Sequence, residues 1–278
     1  MAAGKNIGIQ PSHKGTGWEL KYRLWINMLQ KYISQKCVDY GIEIDKRRKK
    51  MNGIEFEVTG RKGLFTCPEF KVGGEKCTLQ IPTYEALKGI TKSIYWKPTI
   101  TWVIDAVRIM NPIRMESTGI ILPKMKSNKN DIAIYTYLKD CRYQVKAHFI
   151  FNKNRPEYKN DWNETKHQEI AERMIAKGGR QDIFLGTREC QGYVKPCKFG
   201  EGKGFYDDFS ELPFGLMYHG MTYPDEAYSK ETRRCVTMRM WQPIMRNGII
   251  EFAKPKDCIL TKRICDMQPK KFELKEEH

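Results

Sequence analysis

The sequence has no run of about 18 apolar residues and no signal-peptide core, so nothing in it reads as a membrane span or a secretion signal. Its nine cysteines form no C-x-x-C pair, and their odd number argues against a complete set of internal disulfides. They read as reduced thiols in a cytoplasmic protein. Histidine is scarce, with five in all and none in H-E-x-x-H spacing, so no metal site is built from neighbouring ligands. The Gly-rich stretch Phe199-Gly200-Glu201-Gly202-Lys203-Gly204-Phe205 is not followed by Lys-Ser or Lys-Thr, which speaks against an ATP-phosphate cradle. Internal repeats are also missing. Chemistry that uses neither metal nor cofactor is the expectation that survives.

What is abundant is positive charge. Lys and Arg number 49 against 33 Asp and Glu, a formal charge of +16 over 278 residues. Clustered cations of this kind gain affinity by releasing counterions from phosphates, so nucleic acid is the first partner to consider. Hydrophobic residues make up 40% of the chain, enough for a core of one large or two small domains.

Residues 1–50 stand apart, with eleven Lys or Arg against four acids. Trp18, Tyr22, Trp25, Leu29, Tyr32 and Ile33 recur at helical spacing, which predicts an amphipathic helix over about 18–36. Lys46-Arg47-Arg48-Lys49-Lys50 ends directly before Met51. Two readings stay open: a basic extension touching RNA, a partner or a membrane surface, or sequence upstream of a native start at Met51. From there Ile54, Phe56 and Val58 alternate as a strand closed by Gly60. Pro82-Thr83 opens a helix carrying Leu87, Ile90 and Ile94, and residues 100–109 read as a buried strand. Tyr143, Val145, Ala147, Phe149 and Phe151 alternate with Arg142, Gln144, Lys146 and His148, a strand with a basic outer face.

A second helix begins at Asn163-Glu164-Thr165-Lys166-His167. Asp161-x-x-Glu164 fits a capping box, Ile170, Ala171, Met174 and Ile175 form its apolar stripe, and Gly178-Gly179 stops it. At that position the helix dipole and Lys166 both disfavour the imidazolium of His167. Ile183 to Cys190 is the next predicted strand. The order β-α-β-β-α-β is ferredoxin-like, an α+β fold with two helices on one face of an antiparallel sheet. That topology brings the end of the first helix, with Tyr95, to the same edge as Lys166 and His167. Residues 191–278 are expected to form a smaller antiparallel β-sheet domain after a ferredoxin-like domain over 51–190.

Several blocks carry a family resemblance. They are Ile81-Pro82-Thr83-Tyr84-Glu85-Ala86-Leu87-Lys88-Gly89-Ile90, Ser93-Ile94-Tyr95-Trp96-Lys97-Pro98, Tyr143-Gln144-Val145-Lys146-Ala147-His148-Phe149 and Asp182-Ile183-Phe184-Leu185-Gly186-Thr187-Arg188-Glu189-Cys190-Gln191-Gly192-Tyr193. From Met51 onward the chain resembles the CRISPR-associated (Cas) family five proteins of subtype I-C, also called subtype d or Dvulg, of the RAMP superfamily. Arg61-Lys62-Gly63-Leu64-Phe65 departs from the family's pattern of an acidic residue and an aromatic.

The resemblance implies cleavage of CRISPR repeat RNA to mature crRNA, with Tyr95, Lys166 and His167 as the catalytic group. It further implies a place in the type I-C Cascade surveillance complex beside a large subunit and a backbone subunit, with target DNA contacted through that complex. Lys88, Lys97, Lys146, His148, Arg180, Arg188 and Lys203 are the side chains expected on RNA, the last within the Gly-rich loop. A non-catalytic subunit that clamps the crRNA end is the alternative of a different class.

Overall fold

Alternation of apolar and charged residues sets the central strands. A computed structural model describes residues 52–66, 75–124 and 129–269. The helix expected over 18–36 and the basic run before Met51 lie outside them. Strand β1 spans Gly53–Gly63, and a two-residue β2 follows at Lys76–Cys77. Helix α1 runs from Tyr84 to Ile94, with the Thr83 hydroxyl accepting from the Ala86 amide as its N-cap. Strands β3 (Ile100–Ile109), β4 (Met115–Pro123) and β5 (Asn130–Phe151) come next, then helix α2 (Glu164–Ala176). The chain continues with β6 (Ile183–Phe184) and β7 (Gln191–Pro196).

The strands order as β7-β1-β5-β3, every neighbouring pair antiparallel. This is the ferredoxin-like arrangement expected from the sequence. On the face beneath the helices, Ile54, Phe56 and Val58 sit opposite Ala147, Val145 and Tyr143. The same face of β3 pairs Trp102 with Phe149 and Ile104 with Ala147. At Asp105 the register shifts, and Val107 rather than an even-numbered residue faces the core. The bulge therefore sends Arg108 to the opposite face.

Three boundaries differ from the sequence expectation. The strand read as 143–151 extends back to Asn130, because its first half pairs with β4 in a long hairpin. The strand read as Ile183 to Cys190 stops at Phe184. Gly186 takes a φ of +99° and the Thr187 carbonyl accepts from the Cys190 amide, so the chain turns and the ferredoxin-like fourth strand becomes β7. The cap of α2 is Asn163, whose side chain accepts from the Lys166 amide at 3.0 Å, and not Asp161.

Beyond β7 lie β8 (Glu211–Pro213), β9 (Met217–Thr222), β10 (Cys235–Trp241), β11 (Ile244–Arg246), β12 (Ile249–Glu251) and β13 (Leu260–Asp266). Residue 190 is not a sheet boundary, since β7 pairs with β1 and the path β12-β11-β8 continues the main sheet from β3. Among the described residues, β13-β10-β9 forms the separate three-stranded sheet. The seven described cysteines are free thiols, and no described helix is long and apolar enough to cross a membrane.

Two glycines give a test with opposite signs. A Cβ at Gly186 would overlap the Leu64 carbonyl on a positive-φ backbone, so Gly186→Ala should destabilise by about 2 kcal/mol or more. Gly89 lies inside α1 with open space around it, and Gly89→Ala should stabilise by about 0.5–1 kcal/mol. Urea midpoints of the two variants should fall on either side of the unsubstituted chain.

Candidate active site

His167 is buried because of where it falls on α2. It starts the stripe His167, Ala171, Ile175 that faces the sheet, and it is 0% exposed. Phe149 and Phe151 of β5 pack edge-on against its ring, with centroids 5.9 and 6.1 Å away. A buried imidazole needs partners for both nitrogens, and it has them. Nε2 lies 2.8 Å from the Asp161 carbonyl oxygen, and Nδ1 lies 2.8 Å from the Tyr95 hydroxyl. A carbonyl only accepts, so Nε2 carries the hydrogen and Nδ1 of the neutral ring accepts the Tyr95 O–H.

Tyr95 caps the C-terminus of α1 and is 3% exposed. Its own carbonyl accepts from the Trp102 indole at 2.6 Å, while the neighbouring carbonyls of Ser93 and Ile94 accept from the Gln181 and Arg180 amides. The loop after α2 thereby satisfies the end of α1 and fixes the two helices to one edge. Burial, reinforced by the negative charge of Asp161 and eased by Arg180, pushes the Tyr95 phenol up to about 12. At neutral pH it is a hydrogen-bond donor and not a phenolate.

Asp161 joins the remaining parts. Its carboxylate bonds the Lys166 ammonium, accepts from the Thr99 hydroxyl at 2.8 Å, and lies 3.7 Å from the Lys97 ammonium. Burial works to raise its pKa, but the bonds from Lys166 and Thr99, with Lys97 and His167 close by, bring it down to about 2. Lys166 itself stands at the surface, its side chain 45% exposed. Tyr95, Lys166 and His167 are thus brought together around one carboxylate, with the phenol and imidazole below the surface and the amine on it.

The residues expected on RNA divide. Lys97 reaches the Asp161 carboxylate, and Arg180 is exposed beside the end of α1. Lys146 lies on the outer sheet face, 3.8 Å from Glu55, and His148 Nδ1 is 2.9 Å from both Asp105 oxygens. Arg188 is exposed over the Phe184 ring in the turn before β7. Lys203 is exposed in the Gly-rich loop. Lys88 is the correction: it is 4% exposed and paired with Glu226 beneath the three-stranded sheet, with Glu85 at 3.9 Å.

Asp161 and Arg108 are the residues that sequence reasoning missed in these roles. Asp161 fitted a capping pattern, which hid it. Arg108 is 5% exposed and holds the Gly-rich loop by donating to the Gly202 carbonyl at 2.8 Å, to the Glu201 carbonyl at 3.2 Å and to Asp207. Gln144 adds a bond to the Glu201 carbonyl at 2.7 Å. A basic residue in an apolar strand, beyond a bulge, was the available signal.

The chain has relatives in sequence and in fold. The model of the CRISPR-associated protein (Cas_Cas5) family, in its Cas5d form, matches residues 53–253. The chain belongs to that family. It is 32% identical over 189 residues to the CRISPR pre-crRNA endoribonuclease Cas5d of Mannheimia succiniciproducens, across 60% of this chain and 78% of that protein. It is 28% identical over 159 residues to the protein of the same name from Thermus thermophilus, across 52% of this chain and 65% of that one. Among solved structures, SMU1763c from Streptococcus mutans aligns with a TM-score of 0.62 and 33% identity, covering 76% of this chain and 96% of that chain. A crystal structure described as a CRISPR-associated protein aligns over the same shares with a TM-score of 0.60 and 29% identity.

The Asp161 shift makes a pH prediction. A carboxylate held from 3.8 down to about 2 in the folded chain stabilises it fully above pH 3.8, and that stabilisation is lost as pH falls through about 2. Asp161→Asn should therefore be less stable than the unsubstituted chain at neutral pH. The gap in urea midpoint should hold down to about pH 4 and narrow between there and about pH 2, and a gap that stayed constant across that window would show that the charge of Asp161 contributes nothing.

Proposed function

We propose that this family member is a metal-independent endoribonuclease that cuts CRISPR repeat RNA to mature crRNA. The observation that carries the reading is the 2.8 Å contact between the Tyr95 hydroxyl and His167 Nδ1, with the Lys166 ammonium on the shared carboxylate of Asp161. Cleavage of RNA without metal requires a base for a 2′-hydroxyl, a cation for the phosphorane and an acid for the departing 5′-oxygen. Support comes also from the two relatives named pre-crRNA endoribonuclease Cas5d.

In this mechanism the 2′-hydroxyl passes its proton to the Tyr95 oxygen as the phenol proton moves to His167 Nδ1. The buried imidazole is reached through the phenol, and its Nε2–H stays on the Asp161 carbonyl throughout. The scissile phosphate draws Lys166 away from Asp161. The ammonium then stabilises the phosphorane and supplies the proton for the 5′-oxygen. The products are a 2′,3′-cyclic phosphate and a 5′-hydroxyl. The crRNA stays bound, and the protein acts beside the large and backbone subunits of a type I-C surveillance complex. A purely clamping subunit is the competing reading, and the same experiment separates the two.

Purified full-length protein incubated with its own repeat RNA in EDTA should cut at one position and leave those ends. His167→Ala should slow single-turnover cleavage by about 100-fold or more and Tyr95→Phe by about tenfold or more, with RNA affinity within about threefold. His167→Asn serves as a second variant that keeps polar atoms in the pocket, with circular dichroism to confirm folding. Loss of cutting in EDTA, or cutting unaffected by a 2′-deoxy substitution at the cut position, would contradict the mechanism. Unsubstituted protein that binds and never cuts would favour the clamp.

A further inference from the structure

The stretch that carries Tyr95 has two sides. Tyr95, Lys97 and Thr99 face His167 and Asp161, whereas Trp96, Pro98 and Ile100 line a cavity of about 220 Å³ on the other side. A second cavity of about 280 Å³ adjoins it, and Thr101 and Glu226 line both. Tyr84 and Trp102 floor the second cavity, with Ile150 and Tyr228 among its walls. The two cavities are neighbours along the start of β3, with Thr101 and Glu226 between them, and together they make up a groove beside that strand.

Three observations identify what the groove takes. Trp96, Tyr223 and Tyr228 line it while 44%, 46% and 47% exposed, so three large aromatic rings are left partly uncovered in one channel. Lys254 and Lys256 line its far end, both exposed, and no acidic side chain among the described residues pairs with either. His148 adds a half-buried polar edge with a fixed direction. Its Nδ1 is taken by the Asp105 carboxylate, which only accepts, so Nδ1 carries the hydrogen and Nε2 of the neutral ring is an acceptor in the cavity wall. Aromatic faces interleaved with cations and one oriented polar reader are the features that hold unstacked bases of a single strand. The volumes are large enough for a ring-sized group in each cavity and lie just below those of usual small-molecule pockets.

We propose that the second cavity of this groove is a base-binding site for single-stranded RNA that continues beyond the Tyr95 edge, with one base stacked on Tyr228, its N–H edge on His148 Nε2 and its phosphate on Lys254 and Lys256. The proposal rests on the endoribonuclease reading for the path of the RNA. It adds a recognition site separate from the Tyr95 and His167 pair, and it gives His148 and the loop before β13 a specific task.

The test uses the full-length protein and a set of repeat RNAs, each with one abasic nucleotide at a different single-stranded position. In every RNA the nucleotide whose 2′-hydroxyl would attack the scissile phosphate carries a 2′-O-methyl group, so that binding is read without cleavage. In the unsubstituted protein one position should weaken binding by about tenfold when its base is removed. Tyr228→Ala should bind intact RNA about tenfold more weakly and lose sensitivity to that position alone, and His148→Ala should do the same to a smaller extent. Tyr193→Ala, which removes an exposed tyrosine on β7 outside the groove, should bind as the unsubstituted protein does. The proposal is overturned if Tyr228→Ala binds within twofold of the unsubstituted protein, or if every abasic position stays as costly in it as before. Cleavage of unmodified RNA in EDTA is measured alongside. Cutting that persists while the abasic pattern fails refutes the groove alone, and a correct pattern without cutting refutes the endoribonuclease alone.

Discussion

The imidazole of His167, wholly buried and held between a phenol and a main-chain carbonyl, is the constraint around which the site is arranged. An unpaired polar nitrogen at that depth costs about 1–3 kcal/mol, so the two bonds are as much a condition of folding as a feature of chemistry. They also fix direction. Nε2–H is committed to Asp161, and Nδ1 is left to exchange a proton only with Tyr95. The same Asp161 whose carbonyl sets the tautomer uses its carboxylate to hold Lys166 and Thr99. One residue thereby ties the acid/base pair to the surface cation.

The rest of the fold supplies this edge with its geometry. The antiparallel order β7-β1-β5-β3 places the C-terminus of α1 beside the N-terminus of α2, and the amides of Arg180 and Gln181, in the loop after α2, bond the last carbonyls of α1. The bulge at Asp105 separates two uses of β3. Before it, Trp102 anchors the Tyr95 carbonyl; after it, Arg108 turns to the far face and holds the Gly-rich loop. Lys88, Glu85, Glu226 and Arg239 form a buried charge cluster between α1 and the three-stranded sheet. That cluster accounts for basic residues that composition alone assigns to a polyanion.

Much of this was legible in the sequence. Period-two alternation in Ile54, Phe56 and Val58 and in Tyr143 to Phe151 gave the central pair of strands, and Thr83 announced α1. The meeting of Tyr95 with His167 followed from topology, since a ferredoxin-like order leaves those helix ends no other place. The hairpin before Tyr143 escaped because its outer half is exposed on both faces, with Ile121 and Ile132 66% and 69% exposed, and exposed strands carry little periodic signal. The turn at Gly186 escaped because the apolar start Ile183-Phe184-Leu185 was extended through Gly186, whose positive φ turns the chain. Asp161 and Lys88 share a different cause. A carboxylate and an amine look solvated in sequence, and only their partners in the fold, Lys166 and Thr99 for Asp161 and Glu226 for Lys88, reveal them as links. The division at residue 190 was set at the end of the strand read as completing the β-α-β-β-α-β order, whereas the hydrogen-bonded sheet passes through that point.

The central claim is about one proton position, and nitrogen NMR of histidine reads it directly. In protein labelled with ¹⁵N-histidine and held at mildly alkaline pH, His167 should be the Nε2–H tautomer, with Nδ1 unprotonated and shifted by an accepted hydrogen bond. Tyr95→Phe should move the Nδ1 resonance and leave Nε2 nearly unchanged. An Nδ1–H tautomer, or an Nδ1 signal indifferent to the loss of the phenol, would contradict the account.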